Sequence, residues 1–210
     1  MIAGPWVLAT RNAGKVRELR ALFAGAGIAV IDLDQAGIPS SPDEEGLEVF
    51  DTFEANALAK ARWFAARAGG RAVVADDSGL EVLALGGAPG VHSKRWSGRA
   101  ECFGVALDAA NNELLLGRLR GAEDRRARFV CAAAWSVQKE RDALVVRGEV
   151  SGCIVDHAAG SHGFGYDPLF FVTELGVTMG EATVQEKQRV SHRGRAFAAL
   201  IDAVRARPDR

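Results

Sequence analysis

The chain lacks the marks of several common protein classes. Cysteine is scarce: Cys102, Cys131 and Cys153 are odd in number and lack the CxxC spacing of metal and redox sites. They read as reduced thiols that pack in the interior of a cytoplasmic protein. Charge of either sign is not in excess, since 26 Lys and Arg stand against 27 Asp and Glu for a formal net charge of -1. That balance leaves no broad basic field to hold a long nucleic acid, so any phosphate recognition must be local. No apolar run approaches the length of a membrane span, and no membrane partner is expected. The first residues carry no signal-peptide pattern, because Gly4-Pro5 interrupts the apolar start and the first cation is Arg11. Internal repeats, low-complexity tracts, a domain linker and the Walker pattern GxxxxGK[ST] are all missing. What is present is 48% hydrophobic residues in 210. A chain of that size buries roughly 70% of its unfolded surface, which predicts one domain, or one domain with two lobes.

The residues that organise the rest are Arg71-Ala72-Val73-Val74-Ala75-Asp76-Asp77-Ser78-Gly79-Leu80. Residues 72–75 are small or β-branched and read as a buried strand between the breakers Gly69-Gly70 and Gly79. Two carboxylates follow at its C-terminal end, the edge at which open α/β sheets bind ligands. A buried carboxylate is tolerable only with water, a cation or a hydrogen-bonding partner. Side chains alternate along a strand, so Asp76 and Asp77 share one site only if Ser78-Gly79 bends the chain. Two acids capping the next turn is the structural alternative.

Upstream, residues 5–10 predict a first strand, and Val16, Leu19, Leu22 and Phe23 repeat at helical spacing. The connection Thr10-Arg11-Asn12-Ala13-Gly14-Lys15 turns sharply from strand to helix. It aims backbone N–H groups and an ammonium at one spot, an arrangement suited to phosphate, or it is simply a helix start capped by Asn12 with a solvated Lys15. Residues 28–31 form a short strand. The polar stretch 32–51 then carries Asp43, Glu44, Glu45 and Glu48, and a loop of that length is usually functional or mobile. Thr52 caps a helix with the apolar stripe Phe53, Ala57, Ala61, Phe64 and Ala68. Asn56 and Lys60 lie four apart on one of its faces.

Downstream, residues 80–85 predict a second strand and residues 86–99 a glycine-rich loop. Phe103, Leu107, Ala110 and Leu114 mark an amphipathic helix. Residues 126–137 and 143–155 form an antiparallel hairpin about a turn at 138–142. In Gly163-Phe164-Gly165-Tyr166-Asp167-Pro168, glycines around two aromatics allow a plate for stacking a base, or a turn whose rings pack inward. A strand over 169–172 follows. Thr183 and Glu186 fit a capping box, and Phe197, Leu200, Ile201 and Val204 form the stripe of a last helix ending before Pro208. Lys187, His192 and Arg193 offer donors from a helix start or belong to a basic surface.

Together these pieces make a phosphate loop, acids for a cation, an aromatic plate and polar readers, the needs of a nucleoside triphosphate with Mg²⁺. In five stretches the sequence resembles the inosine triphosphate pyrophosphatase family: ATRNAGKVREL from Ala9, FEANALAKA from Phe53, ADDSGLEVLALGGAPGVHSKRWSG from Ala75, GFGYDPLFF from Gly163 and EKQRVSHRGRA from Glu186. They run in the family's order over nearly the whole chain. The resemblance implies an α/β fold with an elongated mixed sheet in two lobes flanked by helices and an active-site cleft between them, one functional domain over 1–210 and a homodimer. It implies Mg²⁺-dependent hydrolysis of ITP, dITP and XTP to the monophosphate and pyrophosphate, which cleanses the nucleotide pool.

Carried over by motif, Thr10, Arg11, Asn12, Ala13, Gly14 and Lys15 bind the triphosphate, with Lys60 as a further cation. Asp77 and an acid-loop Glu hold the metal. Asp77 also accepts the proton of the attacking water, Asp76 assists, and Ser78 touches substrate. Phe164, Gly165, Tyr166, Asp167, Lys187, His192 and Arg193 enclose the base. The chain departs from the family in having Ala55 before Asn56 and no Glu-Thr-Gly run before its helix. Ungapped counting from Asn56 selects Glu48 as the metal ligand, whereas Gly46 favours Glu45 or Glu44. Two other readings are a Maf-like nucleotide pyrophosphatase, against which Ser191-His192-Arg193 argues, and a nucleotide sensor without turnover, against which Asp77 and Lys15 argue.

Overall fold

The computed structural model describes residues 4–138 and 143–207. In chain order the elements are β1 (Trp6–Leu8), α1 (Ala13–Gly25), β2 (Val30–Asp32), α2 (Phe53–Ala65), β3 (Val73–Val82), α3 (Val105–Arg118), β4 (Arg126–Ser136), β5 (Leu144–Ile154), β6 (Phe170–Val172), β7 (Val177–Thr178), α4 (Val184–Val190) and α5 (His192–Arg205). The strands form a mixed seven-stranded sheet in the order β2-β1-β3-β4-β5-β6-β7, flanked by helices, which makes this an α/β fold. β1 runs parallel to β2 and β3, whereas β6 is antiparallel to β5 and β7. The chain divides into two compact units: Met1–Asp77, Cys131–Gly148 and Arg193–Arg210 form the first, and Ser78–Val130 and Glu149–His192 the second.

Local chemistry starts the helices where the sequence implies. Asn12, in extended backbone, accepts from Lys15 N at 3.0 Å and opens α1, and Thr52 accepts from Ala55 N at 3.2 Å and opens α2. Thr183 and Glu186 close a reciprocal capping box before α4.

In the first unit, alternation places Trp6 and Leu8 of β1, Ala72 and Val74 beside them, and Cys131, Ala133 and Trp135 of β4 in one apolar cluster. Leu19 and Phe23 of α1 and Ala196, Phe197, Leu200 and Ile201 of α5 complete it. Phe23 sits at its centre, edge-on to Trp6 and to Phe197 with centroids 5.7 Å apart in each case. The same alternation turns Asp76 toward the α1 and α5 side, and Asp77 toward the other. The second unit has its own core, in which Leu80 and Val82 meet Leu115, Leu119, Phe129, Ile154, Tyr166 and Phe170.

Four features differ from the sequence reading. β3 does not stop before Asp76: it continues through Gly79 to Val82, because buried positions on both sides of the acids hold it in the sheet. Asp76 and Asp77 are therefore mid-strand residues on opposite faces. The acid loop contains a 3₁₀ turn over Pro42–Leu47, capped by Ser41 with Glu44, and a second covers Gly90–Arg95 in the glycine-rich loop. Phe103 does not join the stripe of α3, which begins at Val105, and is 79% exposed. β7 is too short to show a period in sequence. Of the expected turn at 138–142, Lys139 to Asp142 lie outside the described residues, as does Pro208; α5 ends at Arg205.

β5 and β6 approach closely at Gly152, which pairs with Val172. A Cβ there would lie 2.1 Å from Phe171 O and 2.9 Å from the Phe170 ring. Gly152→Ala is therefore expected to cost about 1–3 kcal/mol in urea unfolding, with faster hydrogen exchange along β6.

Candidate active site

Three clusters of charge gather the residues singled out in the sequence, two in the first unit and one in the second. The first surrounds Asp76, which is fully buried. Lys15 Nζ, brought round by the first turn of α1, lies 2.9 Å from Asp76 Oδ2. Arg193 Nε, from the first turn of α5, donates to the same oxygen at 3.3 Å, while its Nη1 donates to Glu18 Oε2 at 2.6 Å. The Cys131 thiol is 3.9 Å from Asp76 Oδ2. Burial works against ionising Asp76, but Lys15, Arg193 and Lys60 overbalance it and hold the carboxyl far below the usual carboxylate range. Burial, then the Asp76 charge, pushes the Cys131 thiol up, so this cysteine is a neutral packing group.

The second cluster surrounds Asp77 on the opposite face of β3. Asn56 Nδ2, from α2, donates to Asp77 Oδ2 at 2.8 Å. The same amide donates to Phe50 O at 3.1 Å and accepts from Phe50 N at 2.8 Å, which ties the end of the acid loop to the carboxylate. One turn along α2, Lys60 Nζ pairs with Glu48 Oε1 at 2.5 Å. Burial and the Glu48 charge raise the Asp77 pKa above its ordinary value, although Lys15, Lys60 and Asn56 pull it down. Two adjacent acids thus differ: Asp76 is a permanent anion and Asp77 a carboxyl on which a proton is less costly. A raised carboxylate beside a second carboxylate and two cations is the kind of group that active sites assemble.

The remaining residues of the strand-to-helix turn organise it. Thr10 Oγ1 accepts from Asn12 N at 3.2 Å, Asn12 is the cap, and Ala13 and Gly14 open α1. Arg11 turns away to the acid loop, where it donates to Glu44 at 2.9 Å, Asp34 at 3.1 Å and Ile38 O at 3.0 Å. Glu44 is occupied by Arg11, whose hydrogen bond lowers its pKa, and by Ser41 N at 3.2 Å. Glu45 is exposed. Of the three candidate metal ligands, Glu48 is the one whose charge acts on Asp77.

In the second unit Asp167, 4% exposed, anchors the loop over residues 163–168. Its Oδ2 accepts from Phe164 N at 2.8 Å and from Lys187 Nζ at 2.6 Å, and that ammonium lies 5.4 Å from the Phe164 ring centre. Gly163 makes room for the pair: its φ is +83°, and a Cβ would fall 2.0 Å from Asp167 Oδ2. Tyr166 packs into the core and donates through its hydroxyl to Ser93 O at 2.8 Å, so Phe164 is the ring of the two that can offer a face. His192 is buried and stacks on Phe129 with centroids 4.7 Å apart. Ser78 is half-buried in β3. Arg193, expected to enclose the base, places its guanidinium on Asp76 and Glu18 in the first unit. Asn56 enters the site through its hold on Asp77, and its position one turn before Lys60 was the sequence signal for it.

Among the described residues no cluster of three His, Cys, Asp or Glu side chains stands ready for a metal. Glu48 and Asp77 are hard oxygen donors. Such donors suit a hard divalent cation, which binds oxygen ligands.

Removing the Asp76 charge would take from Lys15 its ion pair and from the buried Arg193 one of its two carboxylates, leaving Glu18 as the other. Asp76→Asn is expected to lose about 3–5 kcal/mol at neutral pH by urea unfolding. The folded pKa of Asp76 is depressed, so its stabilisation is present above the unfolded value of about 3.9 and disappears as pH falls below it. The gap between wild type and variant should narrow on acidification through that range.

The profile of the Ham1 family matches residues 6–203. The chain is 48% identical over 202 residues to a dITP/XTP pyrophosphatase of Bordetella parapertussis, covering 95% of this chain and 91% of the relative. A HAM1 protein structure from Coxiella burnetii matches with a TM-score of 0.80 and 34% identity over 98% of this chain and all of that one. The structure of a nucleoside-triphosphatase, dITP/XTP pyrophosphatase, from Mycobacterium abscessus matches with a TM-score of 0.68 and 41% identity over 96% of this chain and all of that one. With such agreement along almost its full length, the chain belongs to the Ham1 family.

Proposed function

We propose that the protein hydrolyses non-canonical purine nucleoside triphosphates, dITP, ITP and XTP, to the nucleoside monophosphate and pyrophosphate, and so cleanses the nucleotide pool. The observation that carries this reading is Asp77, a carboxylate fixed by Asn56 at 2.8 Å whose pKa is raised by burial and the Glu48 charge against the pull of Lys15 and Lys60. Membership of a family whose relatives bear the name dITP/XTP pyrophosphatase supports the reaction class.

In this mechanism Thr10, Asn12, Lys15 and Lys60 bind the triphosphate, with the backbone N–H groups of Ala13 and Gly14 at the start of α1. Asp76 stays ionised and sets the position of Lys15. Glu48 and Asp77 would hold Mg²⁺, which when bound supplies charge neutralisation on the phosphates and a more acidic water. Asp77 takes the proton of the attacking water, a task for which a carboxyl of raised pKa is better matched than an ordinary one. The Asn56 bond to Asp77 Oδ2 fixes the carboxylate plane.

Ser78 touches the substrate. Phe164 stacks on the base, and Gly165, Tyr166, Asp167, Lys187 and His192 enclose it. A donor such as Lys187 suits a 6-keto oxygen. An adenine amino group there would leave a buried donor unmatched, at a cost of about 1–3 kcal/mol.

The two units act as one pyrophosphatase domain in a homodimer, as the resemblance implies. The three free cysteines support a cytoplasmic setting, and among the described residues no helix is long and apolar enough to cross a membrane.

With dITP and Mg²⁺ the first phosphorus product should be pyrophosphate, seen by phosphorus NMR or an enzyme-coupled assay. Orthophosphate appearing first would overturn the mechanism. Asp77→Asn should lower kcat by roughly 10²- to 10⁴-fold with an unchanged circular dichroism spectrum. A turnover panel should rank dITP, ITP and XTP well above GTP and ATP. Tight binding without turnover of any member would favour a nucleotide sensor.

A further inference from the structure

Gly165, in the loop over residues 163–168, has both of its backbone polar groups taken by a single helix face. Asp108 Oδ2 accepts from Gly165 N at 2.8 Å, and Asn112 Nδ2 donates to Gly165 O at 3.0 Å. These side chains are one turn apart on α3 and so project from the same face. Neither is a core residue: both are half-buried. Asn112 Oδ1 is itself buried and, among the described residues, accepts no hydrogen bond. A side chain whose task was packing would be better replaced by an apolar one, because a buried acceptor left unmatched is destabilising. The amide earns its place by what its other end does, which is to hold Gly165.

The neighbouring residue of α3 holds the other support of the loop. Asn111 is 3% exposed; it accepts from Ser97 N at 2.8 Å and donates to Lys94 O at 3.1 Å. The turn it fixes carries Ser93 O, which receives the Tyr166 hydroxyl at 2.8 Å. Gly165 and Tyr166 are thus both referred back to the first two turns of α3, Gly165 directly and Tyr166 through Ser93. On either side of Gly165 stand Phe164 and the Asp167–Lys187 pair, whose placement follows from where Gly165 is pinned.

We infer that Asp108 and Asn112 are positioning residues for base selectivity: they clamp Gly165 so that Phe164 and the Asp167–Lys187 pair meet a 6-oxopurine in one fixed arrangement, provided the base is taken by this loop as proposed. A loop free to shift would fit the correct base less well and reject adenine less sharply, since discrimination depends on donors that cannot move to relieve a mismatch. Neither side chain touches the reacting atoms.

The test measures kcat and KM separately on dITP, XTP and ATP for wild type, Asp108→Ala, Asn112→Ala and Asp108→Asn, with hydrogen exchange at the Gly165 amide. In the two alanine variants kcat/KM for dITP and XTP should fall about tenfold or more, chiefly through KM. ATP should lose less, so the ratio of 6-oxopurine to adenine turnover shrinks, and the Gly165 amide should exchange faster in Asp108→Ala. Asp108→Asn keeps an acceptor oxygen for Gly165 N and should recover most of the ratio. Should Asp108→Ala fail to fold, Asn112→Ala decides the matter from the other side of the clamp. An unchanged ratio in folded alanine variants, or an equal loss on all three nucleotides, overturns the inference while leaving the proposed reaction standing. A wild type that turns over none of the three overturns the proposed reaction itself, before any variant is compared.

Discussion

Two neighbouring carboxylates inside one buried strand impose the constraint on which the first unit is built. A buried anion is stable only when cations or donors reach it, and Asp76 and Asp77 occupy consecutive positions of β3 that point to opposite faces. Each face must therefore bring its own partners. On one side α1 and α5 supply Lys15 and Arg193 from their first turns, and on the other α2 supplies Asn56 and Lys60. The helix starts, the capping residues and the Phe23 cluster that seats α1 and α5 all serve to place those groups.

Strand alternation also divides the labour. Asp76 is surrounded by cations that guarantee its charge, which makes it a fixed electrostatic anchor. Asp77 is buried with a second acid in range and an amide on one oxygen, which makes it responsive to protons and, by the same physics, to a cation. A pair that looks redundant as two letters becomes one group held ionised by its cations and one whose pKa is raised by burial. Glu48 belongs to this arrangement because Asn56 grips the backbone of Phe50 and Lys60 grips the carboxylate, while Glu44 is consumed by Arg11.

The second unit solves a different problem, that of presenting a ring and a buried ion pair from a loop. Gly163 has a backbone conformation and an emptiness that leave space for Asp167 and Lys187, and Asp167 in turn caps the N–H of Phe164. Tyr166 is driven inward as a pillar, its hydroxyl finding a carbonyl as a buried phenol must. α3 supplies the outer grip on Gly165. In the proposed reading rigidity here would underlie selectivity, because an unmatched donor penalises the wrong base only if it cannot turn away.

Much of this was determined by the sequence alone. The caps at Asn12, Thr52 and Thr183, the stripes of α2 and α5, and the reading of Lys15, the acids, Phe164 and Lys187 as a nucleotide parts list follow from local chemistry and spacing, and the α/β class from the family resemblance. The resemblance of five ordered motifs added the reaction. Tertiary structure decided the rest, because burial and partner choice depend on residues distant in the chain. β3 runs through Gly79 since neighbours on both sides keep it in the sheet, whereas propensity alone favoured a break. Arg193 goes to Asp76 because an isolated buried anion would otherwise be intolerable, and no pattern near residue 193 records the need of residue 76. Glu48 is separated from Glu44 and Glu45 by which cation each one meets, and Asp108 and Asn112 acquire meaning only when Gly165, more than fifty residues away, is folded against them.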